Sequence, residues 1–220
     1  MVGQRTKDLC FWLARPFLRI AGRMVQITWL LWRREYPLRL HLGCGDKYLP
    51  SFVNIDANPF RKIDLWLDLR NPLPFPDGAA DGIYTQETLE HLYPNELGRL
   101  LRECRRVLKP GGFIRIGVPH LRHAVEAYTT GQDSWFPEGP RFYRSLGGRL
   151  SNFLLCDGQH RNAFDFSMLE ELLTNSGFTQ IHERAGGESG WIPSDPLSRL
   201  EADLSPTGLA HHLYVEARRP

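Results

Sequence analysis

Cysteine is scarce and scattered. Cys10, Cys44, Cys104 and Cys156 show neither metal-ligand spacing nor the framework of a disulfide-stapled domain. Cys104 falls on the apolar face of a predicted helix, where a reduced thiol packs as a small hydrophobe. Long hydrophobic runs are missing too. The longest uncharged stretch near the N-terminus, Met24 to Trp32, is far short of the roughly 20 residues that cross a bilayer. That apolar run also lacks the small-residue cleavage site of a secretory signal. Charge of one sign is lacking as well: the net charge is +2, which gives no case for a nucleic-acid partner. These absences point to a cytoplasmic protein.

What is present is ordinary in amount and uneven in place. Hydrophobic content of 42% and charged content of 24% over 220 residues suit one large domain, or one domain with an appendage. Residues 1–39 carry eight Lys or Arg against Asp8 and Glu35, while the rest of the chain has a small acidic excess. Residues 1–37 therefore read as a separate basic, amphipathic, helical extension. Within it Arg15, Arg19 and Arg23 recur every four residues and line one helix face. Phe17, Trp29 and Trp32 add aromatic anchors. Two readings stay open. Residues 15–34 rest on the anionic inner face of a membrane, or they pack on their own domain or a second copy as a homodimer.

Beyond residue 37 the elements alternate. Strands are predicted at 38–42, 52–55, 64–69, 82–85, 113–118, 179–184 and 213–217. Helices are predicted at 94–109 and 166–176. In the first, Leu97, Leu100, Leu101, Cys104, Val107 and Leu108 share a face, and Lys109-Pro110-Gly111-Gly112 ends it. The pattern implies an α/β fold with a mostly parallel sheet and a ligand at the carboxyl ends of its strands.

The stretch LHLGCGDKYLPSFVNIDAN, residues 40–58, sets a glycine turn before an acid at the end of the next strand. A dinucleotide fingerprint places its acid about 20 residues on, after a helix that cradles the pyrophosphate. Here Asp56 follows Gly45 by eleven positions, with no room for that helix. The ordered set LHLGCG, NID, Asp68-Leu69, DGIYTQETLEHL and RVLKPGGFIRIGVP resembles a class I S-adenosylmethionine-dependent methyltransferase of the type-11 kind. It is most similar to a group with a shortened first helix that is associated with surface-glycan biosynthesis. HRNAFDFSMLEELLTNSGF and HLYVEARRP resemble that family's last helix and closing hairpin. The resemblance covers residues 38–220 and implies a Rossmann-like methyltransferase fold, a seven-stranded sheet closed by an antiparallel hairpin.

It also implies roles. Gly43, Cys44 and Gly45 would approach the methionine portion of S-adenosyl-L-methionine, Asp56 the ribose hydroxyls, Asp68 and Leu69 the adenine, and Gln86 the sulfonium. His41 stands where the family usually has an acid or Asn, and Lys47 where a third glycine is common. An oxygen acceptor benefits from a base near neutrality, and His120 and His91, each following a central strand, are the candidates. Glu87, Glu90 and His91 form E-x-x-E-H, which resembles the metal-binding element of certain metal-dependent methyltransferases and would hold a divalent cation if His120 or His123 turned toward it. Glu-His at this place is also common in metal-free relatives, and the sequence is read with no metal. Residues 120–165, with Trp135, Phe136, Phe142, Tyr143, Arg141, Arg144, Arg149 and His160, read as an acceptor-side lid. The resemblance and the lid together imply a small-molecule or lipid-linked acceptor, a sugar or glycan, methylated on oxygen. A quinone-like or aromatic metabolite, and a non-catalytic cofactor-binding scaffold, are the alternatives.

Overall fold

The computed structural model describes residues 37–220 apart from Leu204 and Pro206. The helix expected over 15–34 lies outside the described residues. Seven strands form one sheet: β1 (Arg39–Leu42), β2 (Val53–Asp56), β3 (Leu65–Trp66), β4 (Ala80–Gln86), β5 (Leu108–Pro119), β6 (Thr179–Arg184) and β7 (His212–Arg218). Their order is β3-β2-β1-β4-β5-β7-β6. The pairs from β3 through β5 are parallel, and β7 runs antiparallel to both β5 and β6. The mostly parallel sheet with a closing antiparallel hairpin is thus as the sequence implied.

Period-two alternation decides what each face carries. Leu40 and Leu42, Ile83, Ile114, Ile116 and Val118, and Leu213, Val215 and Ala217 point to one side. There they meet Leu97, Leu100, Leu101 and Cys104 of α1 (Pro94–Val107) and Leu169 and Leu173 of α4 (Phe166–Asn175). Each Leu, Ile or Val among them, fully buried, contributes roughly 1.5–3 kcal/mol over leaving it in water. α1 begins with Pro94 at its first position, and the Tyr93 amide donates to Glu96 Oε2 at 3.0 Å. It stops at Val107 rather than at Lys109, because Leu108 is already extended and pairs with Ala80.

The opposite face is covered by the turn after β1 and by residues 185–201, which include α5 (Ser194–Leu200). Leu49, Phe52, Tyr84, Phe113, Ile192 and Leu197 pack there, with Trp191 stacked on Phe113. Between β5 and β6 lie α2 (Leu121–Thr129), a 3-10 turn at Asp133–Trp135, and α3 (Leu146–Leu155). Ala124, Ala127, Trp135 and Phe136 make a small core of their own.

No helix was predicted between the first four strands, and residues 43–52, 57–64 and 67–79 hold only turns and bends. The third strand is shorter than the expected 64–69. Asp68 explains it. Its carboxylate accepts the Arg70 amide at 3.0 Å and its carbonyl accepts the Asn71 amide at 2.9 Å, closing a turn where pairing would continue. The prolines of NPLPFP then supply no amide donors for a ladder.

Candidate active site

β1 has β2 on one side and β4 on the other, so the chains leaving β1 and β4 diverge and open a crevice at their carboxyl ends. The turn after β1 is built for that place. The amides of Gly43 and Cys44 both donate to Ile55 O, at 2.8 and 3.0 Å, and the Gly45 amide donates to Asp56 Oδ2 at 2.9 Å. Asp56 Oδ1 accepts the Asn58 amide at 2.7 Å. Asp56 is therefore fixed against two loops, and each of its oxygens keeps a further lone pair.

Gly43 and Gly45 have φ of +66° and +50°, where L side chains are strained. Their surroundings differ. A Cβ on Gly43 would lie 2.2 Å from Thr88 Oγ1, so this glycine lets the β1 turn touch the β4 turn. At Gly45 nothing lies within 4 Å of that position. Cys44 is buried, and burial, then Asp56, push its thiol up to about 11. It is a thiol at neutral pH.

The other residues assigned to the cofactor side have partners of their own. The buried Asp68 carboxylate takes both oxygens to Arg70 Nε, at 2.9 and 3.0 Å, and Leu69 belongs to the apolar core. The Gln86 side chain is held beneath the sheet, accepting from the Tyr84 hydroxyl at 2.9 Å and donating to the Tyr214 hydroxyl at 3.0 Å. His41 is buried on the same face, with Nδ1 3.2 Å from Asn54 Oδ1, and burial lowers its pKa to about 4.

Past β4 the edge becomes charged. Glu87, at φ +51°, sits between Lys47 Nζ at 2.7 Å and His212 Nε2 at 3.4 Å. The His212 bond and the Lys47 pair, against some burial, hold its carboxyl down at about 2. Lys47, where a third glycine was the family's habit, thus ties the β1 turn to the end of β4.

The two histidines proposed as bases fall in different clusters. His120 caps α2: its Nδ1 accepts the His123 amide at 3.4 Å, and its ring stacks on His123 at 3.6 Å. Accepting through Nδ1 leaves Nε2 as the protonated nitrogen, 3.9 Å from Glu183. Burial, then His123 and Arg122, lower its pKa to about 4. His123 Nδ1 is 2.9 Å from Ala210 O, so neither ring turns toward Glu90. His160 does the turning instead. His91, exposed in the 3-10 turn Leu89–His91, meets the His160 ring edge-on at 5.0 Å. Beside them the Glu90 carboxyl is buried, and burial pushes it up to about 8.

His212 is a residue that sequence reasoning did not single out, and His160 was read only as part of the lid. His212 was findable: an antiparallel last strand brings its first residue to the end of β5, and Pro119 does pair with His212. Nothing in the spacing of His91 and His160 foretold their meeting.

Residues 55–116 match the family model described as a methyltransferase domain. A probable S-adenosylmethionine-dependent methyltransferase of Mycobacterium tuberculosis is 31% identical over 85 residues, covering 39% of this chain and 28% of that protein. Another, from Mycolicibacterium smegmatis, is 24% identical over 166 residues, covering 67% of this chain and 60% of the relative. The chain thus spans from 28% to 60% of the length of these curated relatives. Among solved structures, an S-adenosylmethionine-dependent methyltransferase from Archaeoglobus fulgidus superposes with a TM-score of 0.51 at 15% identity, over 94% of this chain and 99% of that one. A complex of the Trm112 methyltransferase activator with a putative methyltransferase from Haloferax volcanii also superposes, at 0.51 and 13% identity, over 97% of this chain and 95% of that one. The fold is the Rossmann-like methyltransferase fold.

Proposed function

We propose that the chain is an S-adenosylmethionine-dependent methyltransferase acting on an oxygen of a hydroxyl-bearing acceptor, a sugar or lipid-linked glycan. The observation that carries this reading is the Gly43-Cys44-Gly45 turn pinned to Ile55 and Asp56 at the point where strand order reverses. Its fit to the cofactor is good: a fixed acceptor carboxylate for ribose hydroxyls, open space above Gly45, and no helix N-terminus calling for phosphate. The Asp68–Leu69 turn after β3 would form the outer wall on the adenine side. Bound there, the cofactor supplies an electrophilic methyl on a sulfonium.

This chain's own work is to position the acceptor and draw off its proton. His120 Nε2 faces Glu183 at 3.9 Å, so on this reading the acceptor's proton is drawn off on the side of Glu90, His91 and His160, after β4, rather than by His120. Phe142, 84% exposed, and Tyr143 stand beside Arg141 and Arg144 on the segment between α2 and α3. Rings of this kind stack on sugar faces and guanidinium forks grip carboxylate or phosphate, which supports an acceptor-side lid over 120–165.

Titration calorimetry with S-adenosylhomocysteine tests the reading. The full chain should bind it, and Asp56→Ala should weaken binding by about 1–3 kcal/mol through lost charged hydrogen bonds. A chain that ignores this compound and binds NADH instead would overturn the assignment.

A further inference from the structure

We propose that Glu90, His91 and His160 bind a divalent transition-metal ion of the Mn2+ or Zn2+ class at the acceptor side of the crevice. Three independent features converge. One ligand atom from each residue lies within 4.8 Å of the other two. Ligands about 2.1 Å from a tetrahedral ion lie about 3.4 Å apart, so the three groups need to close by no more than about 1.4 Å. Second, Glu90 Oε2 is buried without a hydrogen-bond partner, in a residue only 1% exposed. Such an atom in a native fold calls for an explanation, and an ion is one.

The third feature is the tautomer of each ring. His91 Nδ1 lies 3.3 Å from Gln159 O, and His160 Nδ1 lies 3.1 Å from Leu154 O. A carbonyl only accepts, so in both rings Nδ1 carries the proton and Nε2 keeps the lone pair. Metal-binding histidines are oriented in this way by backbone carbonyls. The loop that brings His160 is held before any ion arrives. Glu90 O accepts the amides of Arg161 at 2.6 Å and Asn162 at 3.3 Å, and Asn162 Nδ2 donates to Leu92 O at 2.7 Å.

Two imidazoles and one carboxylate select a borderline cation over magnesium or calcium, which prefer all-oxygen shells. Three protein ligands leave coordination positions for oxygens of the acceptor. A hydroxyl bound there becomes more acidic and gives its proton to water, leaving the oxygen as the stronger nucleophile. This acceptor role rests on the methyltransferase reading; the metal site itself does not.

The test uses the full chain stripped with a chelator, then titrated with CoCl2 by visible absorption and with MnCl2 by calorimetry. One equivalent should bind with a cobalt d–d band. Glu90→Gln and His160→Gln should each lose more than the roughly 10- to 100-fold given up when an outer partner of a metal ligand is removed. His123→Ala serves as the control and should bind as the parent does. Equal thermal midpoints of the stripped variants and parent guard against misfolding, and His91→Ala, on an exposed ring, gives a third variant. The absence of one-equivalent binding, or binding unchanged in both His160→Gln and His91→Ala, would overturn the site. S-adenosylhomocysteine binding is measured on the same stripped protein. Retained binding with no metal uptake defeats only the metal site, and metal uptake without it defeats only the methyltransferase reading.

Discussion

The two faces of the sheet are held by different physics. Against α1 and α4 the sheet presents hydrocarbon, and each contact there is non-directional and replaceable. The other face buries a polar set: His41 with Asn54, Tyr84 with Gln86 and Tyr214, and Arg115 with Glu201 and Glu216. Arg115 and Glu201 are fully buried and joined by two bonds of 2.8 and 2.6 Å, while Glu216 takes Arg115 Nη1 at 3.1 Å. Glu201 also accepts the Gly187 amide, and Glu216 the Ser189 hydroxyl and Gly190 amide. The first face supplies bulk stability. The second specifies where residues 185–201 dock and which way Gln86 points, immediately before the charged edge of the site.

The largest expected effect comes from unbalancing the polar face. Arg115→Met leaves buried Glu201 without its cation and Glu216 with Arg184 Nε alone, at 3.4 Å, and should cost about 3–5 kcal/mol in urea unfolding. Adding Glu201→Gln and Glu216→Gln keeps neutral acceptors for the amides and should recover most of that loss. A single variant as stable as the parent would mean that the two faces do not differ as described.

The same division governs what could be read from the sequence. Apolar residues at period two and on one face of α1 announce themselves locally, so β1, β2, β4, β6, β7, α1 and α4 were legible to within a few residues, while β5 begins at Leu108, five residues before its expected start. Asp56 was legible because its partner Gly45 is eleven residues away across one strand. The Arg115 network was not, because its carboxylates lie 86 and 101 residues away and a charged residue mid-strand carries no label for its partner. His160 meets His91 for a similar reason: a loop amide contact to Glu90 O, not a spacing, brings it there. The lack of helices between β1 and β4 was legible. Eleven positions from Gly45 to Asp56 left no room for one, and the prolines of NPLPFP argued against regular structure.

A second test uses protons. Burial holds His41 at about 4 in the folded chain, against 6.5 when exposed. Between those values the unfolded chain binds more protons, so stability is full above about pH 6.5 and falls as pH drops toward 4. Each fully shifted histidine gives a slope of up to about 1.4 kcal/mol per pH unit. His120 and His160, also lowered to about 4, act in the same direction. Glu90, raised to about 8, acts oppositely, its contribution falling as pH rises from about 4.5. The informative quantity is therefore the difference between the parent and His41→Gln. Urea midpoints at pH 7, 6 and 5 should show a flatter dependence in the variant, by up to one proton. Parallel curves would show that His41 does not titrate with folding.

The smallest and sharpest comparison removes one heavy atom from each face. Ile116→Val deletes a methyl group from the fully buried hydrocarbon side and should cost about 0.5–1.5 kcal/mol, since neighbours from α1 and β7 relax into the space. Tyr214→Phe deletes one oxygen from the polar side. Its ring stays packed beside Gly117, where a Cβ would come within 2.7 Å of it, so little else moves. What is lost is the acceptor for Gln86 Nε2, a buried donor, and the expected cost is about 1–3 kcal/mol. The oxygen should matter more than the methyl although it fills no greater volume. Paired urea unfolding of the two variants, at one pH above 7, reads the difference directly. If Tyr214→Phe proves the milder of the two, the polar face is packing like the apolar one, and Gln86 is oriented by the Tyr84 hydroxyl alone.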